Sequence, residues 1–156
     1  MRPGVRIALD LGERRIGVAR SDASGLLAVP VTTITRTTRN SEQVFASIIG
    51  LLDEYEAIEL LIGLPRTLSG DAGAAAQVAQ DFANHIVKLT TCPVRLVDER
   101  LSTVQAQRSL HSAGRTSKSS RAVIDQAAAV VILQSALDSE RALGSAPGFV
   151  VEVTHE

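Results

Sequence analysis

The sequence is poor in the residues that cross-link small domains or bind soft metals. Its 156 residues include one cysteine, Cys92, which excludes an internal disulfide and a cysteine-based zinc site. The three histidines lie on predicted helices or near the C-terminus, so we expect no histidine general base. No apolar stretch reaches membrane-spanning length, and arginines and an aspartate interrupt the N-terminal run where a secretory signal would be apolar. We therefore expect a cytoplasmic protein with no membrane partner.

Aromatic residues and lysines are also scarce. Aromatics make up 3% of the chain and tryptophan is absent, which leaves few surfaces for stacking unpaired bases. The net charge of -1 argues against a uniformly basic nucleic-acid-binding protein. Of 16 basic residues only two are lysines, and the planar fork of arginine suits phosphate oxygens. The basic residues gather in the first hairpin and between residues 95 and 121: Arg14, Arg15, Arg20, Arg95, Arg100, Arg108, Arg115, Lys118 and Arg121. This pattern favours recognition of a phosphate backbone by charge and shape, although arginine content also follows genome composition.

The order of apolar segments predicts an α/β domain. Three β-rich segments, 5–11, 16–21 and 26–35, are separated by short turns typical of an antiparallel meander. Helices are predicted within 40–57, over 71–89, over 102–114 and over 117–140, and buried parallel strands within 58–65 and 92–99. We expect a mixed five-stranded sheet, three antiparallel strands and then two parallel ones, with helices on both faces. Residues 1–143 form this domain and 144–156 a tail, in which FVVEV has the composition of an edge strand.

Acidic residues interrupt three otherwise apolar elements. Asp10 ends the first strand, Asp98 and Glu99 end the fifth, and Asp125 lies inside the most apolar helix. Burial penalises a lone carboxylate unless a cation offsets its charge. If the strands are neighbours, Asp10 and Glu99 meet at one sheet edge and the last helix brings Asp125 over it. Three carboxylates form a hard oxygen site that selects Mg²⁺ or Mn²⁺, the ions of phosphodiester hydrolysis.

Two points stay open at this level. Strand alternation allows only one of Asp98 and Glu99 to face such a site, and the residues do not say which. The Asp10-x-Gly12 pattern is also common in ordinary turns, whereas in a metal site Gly12 would let an ion or a phosphate approach closely.

Four segments together resemble a known family. ALDLGERRIGVARSD, LLIGLPRTLSGD, RLVDERLSTVQAQRSL and KSSRAVIDQAAAVVIL are similar, over nearly the whole chain except the tail, to the YqgF/RuvX family of ribonuclease H-like proteins. The resemblance implies a ribonuclease H-like fold with Asp10, Glu99 and Asp125 as catalytic and metal-binding residues. It also implies a loop after Gly63, Leu64 and Pro65 that borders the site.

The resemblance implies nucleic-acid substrates. The first hypothesis is an endonuclease that processes the 5' end of pre-16S rRNA in ribosome biogenesis, with Mg²⁺ or Mn²⁺ as cofactor. The alternative is a Holliday junction resolvase acting on four-way DNA, which needs a homodimer, whereas an RNA nuclease can act as a monomer. Arg14, Arg15, Arg100, Arg115, Lys118 and Arg121 are the predicted nucleic-acid contacts. A non-catalytic nucleic-acid-binding protein is a third interpretation, and 156 residues leave no room for the second domain of an actin-like ATPase.

Overall fold

One mixed sheet organises the chain. The computed structural model describes residues 1–65, 73–99 and 118–153, and of residues 118–125 it describes the backbone. Its elements, in chain order, are β1 (Arg6–Leu11), β2 (Arg15–Ser21), β3 (Ala28–Thr35), α1 (Ser41–Glu54), β4 (Glu59–Leu64), α2 (Ala74–Ile86), β5 (Val94–Asp98), α3 (Lys118–Leu143) and β6 (Phe149–Val150). The helix predicted over residues 102–114 lies outside the described residues. None of the helices within these ranges has both the length and the apolar character needed to cross a bilayer.

The sheet has six strands in the order β3-β2-β1-β4-β5-β6. β1 to β3 are antiparallel and β1, β4 and β5 are parallel, as predicted. The expectation of five strands was one short, because β6, from the predicted tail, pairs antiparallel with β5. The backbone N–H of Val151 donates to the carbonyl oxygen of Val94 at 2.8 Å, and the Val151 side chain is buried. FVVEV has the composition of an edge strand, and β6 occupies that position, but two paired residues are too few to stand out as an alternating pattern.

Alternation along the strands separates two cores. One lies between the sheet and helices α1 and α2, and includes Ile7, Leu9, Ile48, Ile62 and Phe82. The other lies between the sheet and α3, and includes Ala8, Leu61, Val97, Ala129 and Ile132. Helices therefore cover both faces, as predicted, and the buried strand residues divide between the α1/α2 face and the α3 face.

The large apolar residues at helical spacing in and just after α2 are only partly buried. Phe82 and Ile86 are buried, but Val78 and Leu89 are 48% and 49% exposed. Burial instead uses alanines, Ala76, Ala79 and Ala83. Their short side chains let the helix pack closely, yet they contribute little to a hydrophobic pattern read from the sequence.

Helix α3 runs antiparallel to β1. Near its C-terminus, Glu140 accepts a hydrogen bond of 2.8 Å from Nη2 of Arg6, at the start of β1. Near its N-terminus, Nε2 of Gln126 donates to Oγ1 of Thr33 at 2.9 Å. Thr33 pairs with Gly17, and Gly17 pairs with Asp10. The N-terminal half of α3 therefore lies toward the end of β1 that carries Asp10.

Candidate active site

Asp10 is a buried carboxylate near the end of a central strand. It lies opposite Gly17 of β2 and is 1% exposed. Ala8, two residues earlier on β1, packs on α3, so Asp10 belongs to the same α3 face. Two flanking strands hold β1, and the position of the acid is therefore set by rigid backbone.

Glu99 reaches the same face from β5. Val97 packs on α3, and Glu99 follows it by two residues. A Cβ atom on Gly63 would lie 3.0 Å from Oε1 of Glu99 and 2.7 Å from Cδ1 of Ile132. The Glu99 side chain thus lies directly over Gly63, where any larger residue would displace it.

Strand register places these two carboxylates at one edge. Leu9 of β1 pairs with Ile62 of β4, so the next residues along, Asp10 and Gly63, are neighbours across the parallel pair. Since Glu99 covers Gly63, it lies beside Asp10. Asp98 pairs with Leu64, which packs in the core on the α1/α2 side. Because neighbouring residues of a strand face opposite sides of the sheet, Asp98 faces the α1/α2 side and Glu99 faces the α3 side. This resolves the choice between the two acids in favour of Glu99, and we call Asp10 and Glu99 the acidic edge.

Burial makes the acidic edge electrostatically unusual. Glu99 is 4% exposed, and burial, followed by the negative charge of Asp98, raises its pKa from 4.5 to about 7. Oδ2 of Asp10 and Oε2 of Glu99 are buried atoms that accept no hydrogen bond from the described residues, although both side chains take part in other interactions. Carboxyl groups with a raised pKa in such surroundings are typical of functional sites.

The third predicted acid is described only by its backbone. Position 125 precedes Ala128 and Ala129 by three and four residues, so along the helix it falls on the same side of α3 as these buried residues. The Asp125 side chain lies outside the described residues. Within the described part of the chain, no group of three or more Asp, Glu, His or Cys residues is arranged to hold a metal.

The first arginine pair borders the acidic edge. The turn between β1 and β2 begins two residues after Asp10. It carries Arg14, which is exposed, and ends at Arg15, the half-buried first residue of β2. A Cβ atom on Gly12 would lie 2.6 Å from the carbonyl oxygen of Arg15, which accepts the Gly12 N–H at 2.8 Å. Glycine is therefore required at position 12 to close the hairpin, a local reason that differs from the predicted approach of a metal or phosphate.

Of the basic residues predicted to cluster between residues 95 and 121, the structure describes the side chain of Arg95. Arg100 and Arg115, and the side chains of Lys118 and Arg121, lie outside the described residues. Arg95 does not belong with the site, because its Nε donates to Glu59 at 3.1 Å and its strand position is at the opposite end of β5.

Sequence reasoning missed a buried ionic cluster at that opposite end. Its members are Arg2, Arg6, Glu59, Arg95 and Glu140, and we call it the ionic cluster. Arg6, Glu59 and Glu140 are each at most 5% exposed. Arg2 and Glu140 are 138 positions apart, so no local pattern could have paired them.

Comparison with known proteins identifies the family. The RuvX family model, described as Holliday junction resolvase, matches residues 4–139. The chain belongs to the RuvX family. Curated relatives of this RuvX-family chain carry the name "Putative pre-16S rRNA nuclease". One from Nocardioides sp. is 51% identical over 99% of this chain and 100% of its own, and one from Clavibacter michiganensis is 51% identical over 97% and 93%.

A solved structure confirms the fold. Thermus thermophilus RuvC, determined in complex with a Holliday junction substrate, matches the RuvX-family chain with a TM-score of 0.60 over 94% of this chain and 99% of RuvC. The two are 13% identical, so the likeness concerns the architecture. With its relatives, this makes the chain a nuclease with a ribonuclease H-like fold.

Proposed function

We propose that Asp10, Glu99 and Asp125 hold a divalent cation, Mg²⁺ or Mn²⁺, and that the enzyme hydrolyses a phosphodiester bond in precursor 16S rRNA during maturation of its 5' end. The observation that carries the proposal is the pair of buried carboxylates, Asp10 and Glu99, side by side on the α3 face. Their burial is unfavourable in the ionised form unless a positive charge offsets it. The cytoplasm is the compartment in which we expect this reaction.

The donor chemistry fits a hard cation. Carboxylate oxygens are the side-chain ligands that Mg²⁺ and Mn²⁺ prefer, and the edge needs no thiolate or imidazole. When bound, such ions activate a water molecule and stabilise the leaving oxygen of a phosphodiester. Asp10 supplies an oxygen from a rigid strand, and Glu99 supplies one from its place over Gly63. Glu99 must be ionised to act as a ligand, so a pKa near 7 couples metal binding to pH.

The arginines support a nucleic-acid substrate. Arg14 and Arg15 lie on the turn that follows Asp10, where a phosphate backbone crossing the acidic edge would pass. We propose that they bind phosphates together with Arg100, Arg115, Lys118 and Arg121. The low aromatic content favours recognition of backbone and shape over stacking on bases. The printed name of the curated relatives favours rRNA among the possible substrates.

A four-way DNA junction is the second candidate. The description of the matching family model favours it. The same carboxylates, Asp10 and Glu99, would support hydrolysis of its phosphodiester bonds. Symmetrical cleavage of two strands of the junction requires two active sites and hence a homodimer. Cleavage of an RNA precursor requires one site, and a monomer is sufficient.

A side-by-side cleavage assay tests the proposal. Purified protein is incubated with Mg²⁺ or Mn²⁺ and either a 16S rRNA precursor fragment with its 5' extension or a synthetic four-way junction. We expect the RNA to be shortened at its 5' end, with no cleavage in EDTA. Paired nicks in the junction, from a dimeric protein, would select the second candidate. Binding of either substrate without cleavage would make the chain a non-catalytic binding protein and overturn the proposal.

A further inference from the structure

Arg36, the first residue after β3, makes interactions that meet at the turn between β1 and β2. Its backbone N–H donates to the carbonyl oxygen of Arg14 at 2.8 Å. Its guanidinium Nη1 donates to the carbonyl oxygen of Gly12 at 3.2 Å, and its guanidinium carbon lies 5.6 Å from the ring centroid of Phe82 in α2. A single residue therefore joins the turn that carries Arg14 and Arg15 to a helix on the α1/α2 face.

The surroundings of Arg36 make these interactions effective. The side chain is half-buried, and burial lowers its pKa. A hydrogen bond from a charged donor and a cation–π interaction both gain strength when water is partly excluded. Phe82 itself is 6% exposed and belongs to the core beneath α1 and α2, so the arginine rests on a rigid partner.

Arg36 holds the turn from the side away from the acidic edge. Phe82 packs against the α1/α2 face, whereas Asp10 and Glu99 lie on the α3 face. The hydrogen bonds from Arg36 to Gly12 and Arg14 are to backbone carbonyls of the turn, not to either acid. Its effect on a substrate at the acidic edge is therefore transmitted through residues 12–15, which we call the arginine turn.

We propose that Arg36 is a positioning residue that orders the arginine turn, so that Arg14 and Arg15 present their guanidinium groups to the phosphates of a nucleic acid lying across the acidic edge. The inference rests on the proposed function for the nature of the substrate. The ordering of the arginine turn by Arg36 is a property of the protein alone and can be measured without any substrate.

Amide hydrogen exchange measures directly how strongly Arg36 orders the arginine turn. In R36M, without nucleic acid or metal, we expect amide exchange in a peptide covering the arginine turn to accelerate about tenfold, the effect of losing one charge-assisted hydrogen bond. Peptides from β4 and β5 should exchange as in the wild type. R20M is the matched control, because Arg20 also lies over an aromatic ring, 5.1 Å from the Tyr55 centroid, but on the part of β2 far from the turn. Exchange in the turn peptide that is equal in R36M and wild type would overturn the proposal.

A mutant cycle on RNA affinity separates positioning from direct binding. The ligand is the labelled 16S precursor fragment, and EDTA prevents cleavage. R36M and the double variant R14M/R15M should each weaken binding about five- to tenfold. Adding R36M to the double variant should change the affinity by less than about twofold, because the groups that Arg36 positions are already absent. R36K, which keeps a charged donor for the Gly12 carbonyl, should recover part of the affinity.

The outcomes of the cycle distinguish the positioning role from the nature of the substrate. A triple variant whose affinity falls by a further factor of about five to ten would show that Arg36 binds the RNA itself, and the positioning role would be wrong. Wild-type protein that binds no RNA would overturn the proposed substrate and the part of the inference that depends on it. The exchange result would still decide whether Arg36 orders the arginine turn.

Discussion

Glu99 and Glu140 are buried glutamates on the same face of the sheet, at its two ends, and their pKa values are shifted in opposite directions. They are 4% and 5% exposed. For Glu99, burial and the charge of Asp98 raise the pKa to about 7. For Glu140, burial also favours the neutral form, but hydrogen bonds from Arg2 and the charges of Arg2 and Arg6 outweigh it, and the pKa is lowered. Two glutamates with nearly the same exposure therefore have pKa values shifted in opposite directions.

The difference separates a structural carboxylate, Glu140, from Glu99, which we propose binds a metal ion. At the ionic cluster, the guanidinium groups of Arg2 and Arg6 lower the pKa of Glu140 and so favour its ionised form. At the acidic edge, the groups that set the pKa of Glu99 favour its neutral form. A cation from solution would reverse that preference, which is what a metal-dependent site requires. Replacement of acids at the two ends should therefore affect activity and stability in opposite ways.

The largest expected difference is in catalysis. D10N and E99Q should each reduce metal-dependent cleavage at least about a hundredfold, because each removes a ligand oxygen that stabilises charge in the transition state. E140Q, which changes a carboxylate of equal burial at the other end, should keep the wild-type rate per folded molecule. Initial rates on the RNA precursor, with the folded fraction measured by circular dichroism, test this. Wild-type cleavage by D10N would remove that acid from the mechanism.

Stability should show the reverse order. E140Q should lower the free energy of unfolding by about 3 kcal/mol, because Arg6, which is 1% exposed, loses its ionised partner. In EDTA, D10N and E99Q should be as stable as the wild type or more so, since each removes a buried acid. Urea unfolding curves at pH 7 compare the three variants. If D10N were destabilised as much as E140Q, Asp10 would stabilise the fold without a metal ion, and our interpretation of the acidic edge would be wrong.

The pH dependence of stability sharpens the same comparison. Between its ordinary pKa of 4.5 and its folded value of about 7, Glu99 keeps a proton that the unfolded chain releases, so rising pH destabilises the fold over this range. E99Q has no such titrating group at position 99. In EDTA, its stability relative to the wild type should therefore increase by about 3 kcal/mol from about pH 4.5 to about pH 7.5 and then level off. A constant difference across that range would show that the pKa of Glu99 is not raised.

The smallest expected effect concerns the arginine turn. The R14M/R15M variant should lower the slope of log affinity against log salt by about one for each phosphate that the protein no longer neutralises, with little change in the cleavage rate at saturating RNA. Fluorescence anisotropy between low and moderate salt provides the slopes. R95M is a useful comparison, because Arg95 is bound to Glu59 in the ionic cluster and its replacement should leave the slope unchanged. Equal slopes for R14M/R15M and wild type would remove the turn from the binding surface.

The acidic edge was more accessible to sequence reasoning than the rest of the structure. Asp10 and Glu99 are each next to a strong β pattern, and parallel strands end at a common edge, so their proximity follows from the order of elements. The choice of Glu99 over Asp98 needed the register of β4 and β5. The role of Gly12 needed the hairpin geometry, because the pattern Asp-x-Gly is the same in a turn and in a metal site.

The partners of several other residues had no local signal. Arg36 looks like an ordinary arginine after a strand, and only the approach of α2 gives it Phe82 as a partner. The ionic cluster joins residues from both ends of the chain, and β6 pairs with a strand that lies more than about 50 residues earlier. Long-range pairings depend on how the elements pack, which composition and periodicity do not encode.

By itself, the sequence determined the mixed α/β architecture, the family, and the placement of acids at strand ends, because alternation, turn chemistry and motif spacing are local properties of the chain. The tertiary structure decided that Glu140 meets Arg2 and Arg6, which lower its pKa, and that Glu99 is buried on the α3 face, where burial raises its pKa. Both the ion pairs and the burial depend on packing between residues remote in sequence. Through the pKa, this packing separates the glutamate that stabilises the fold from the one we propose binds metal.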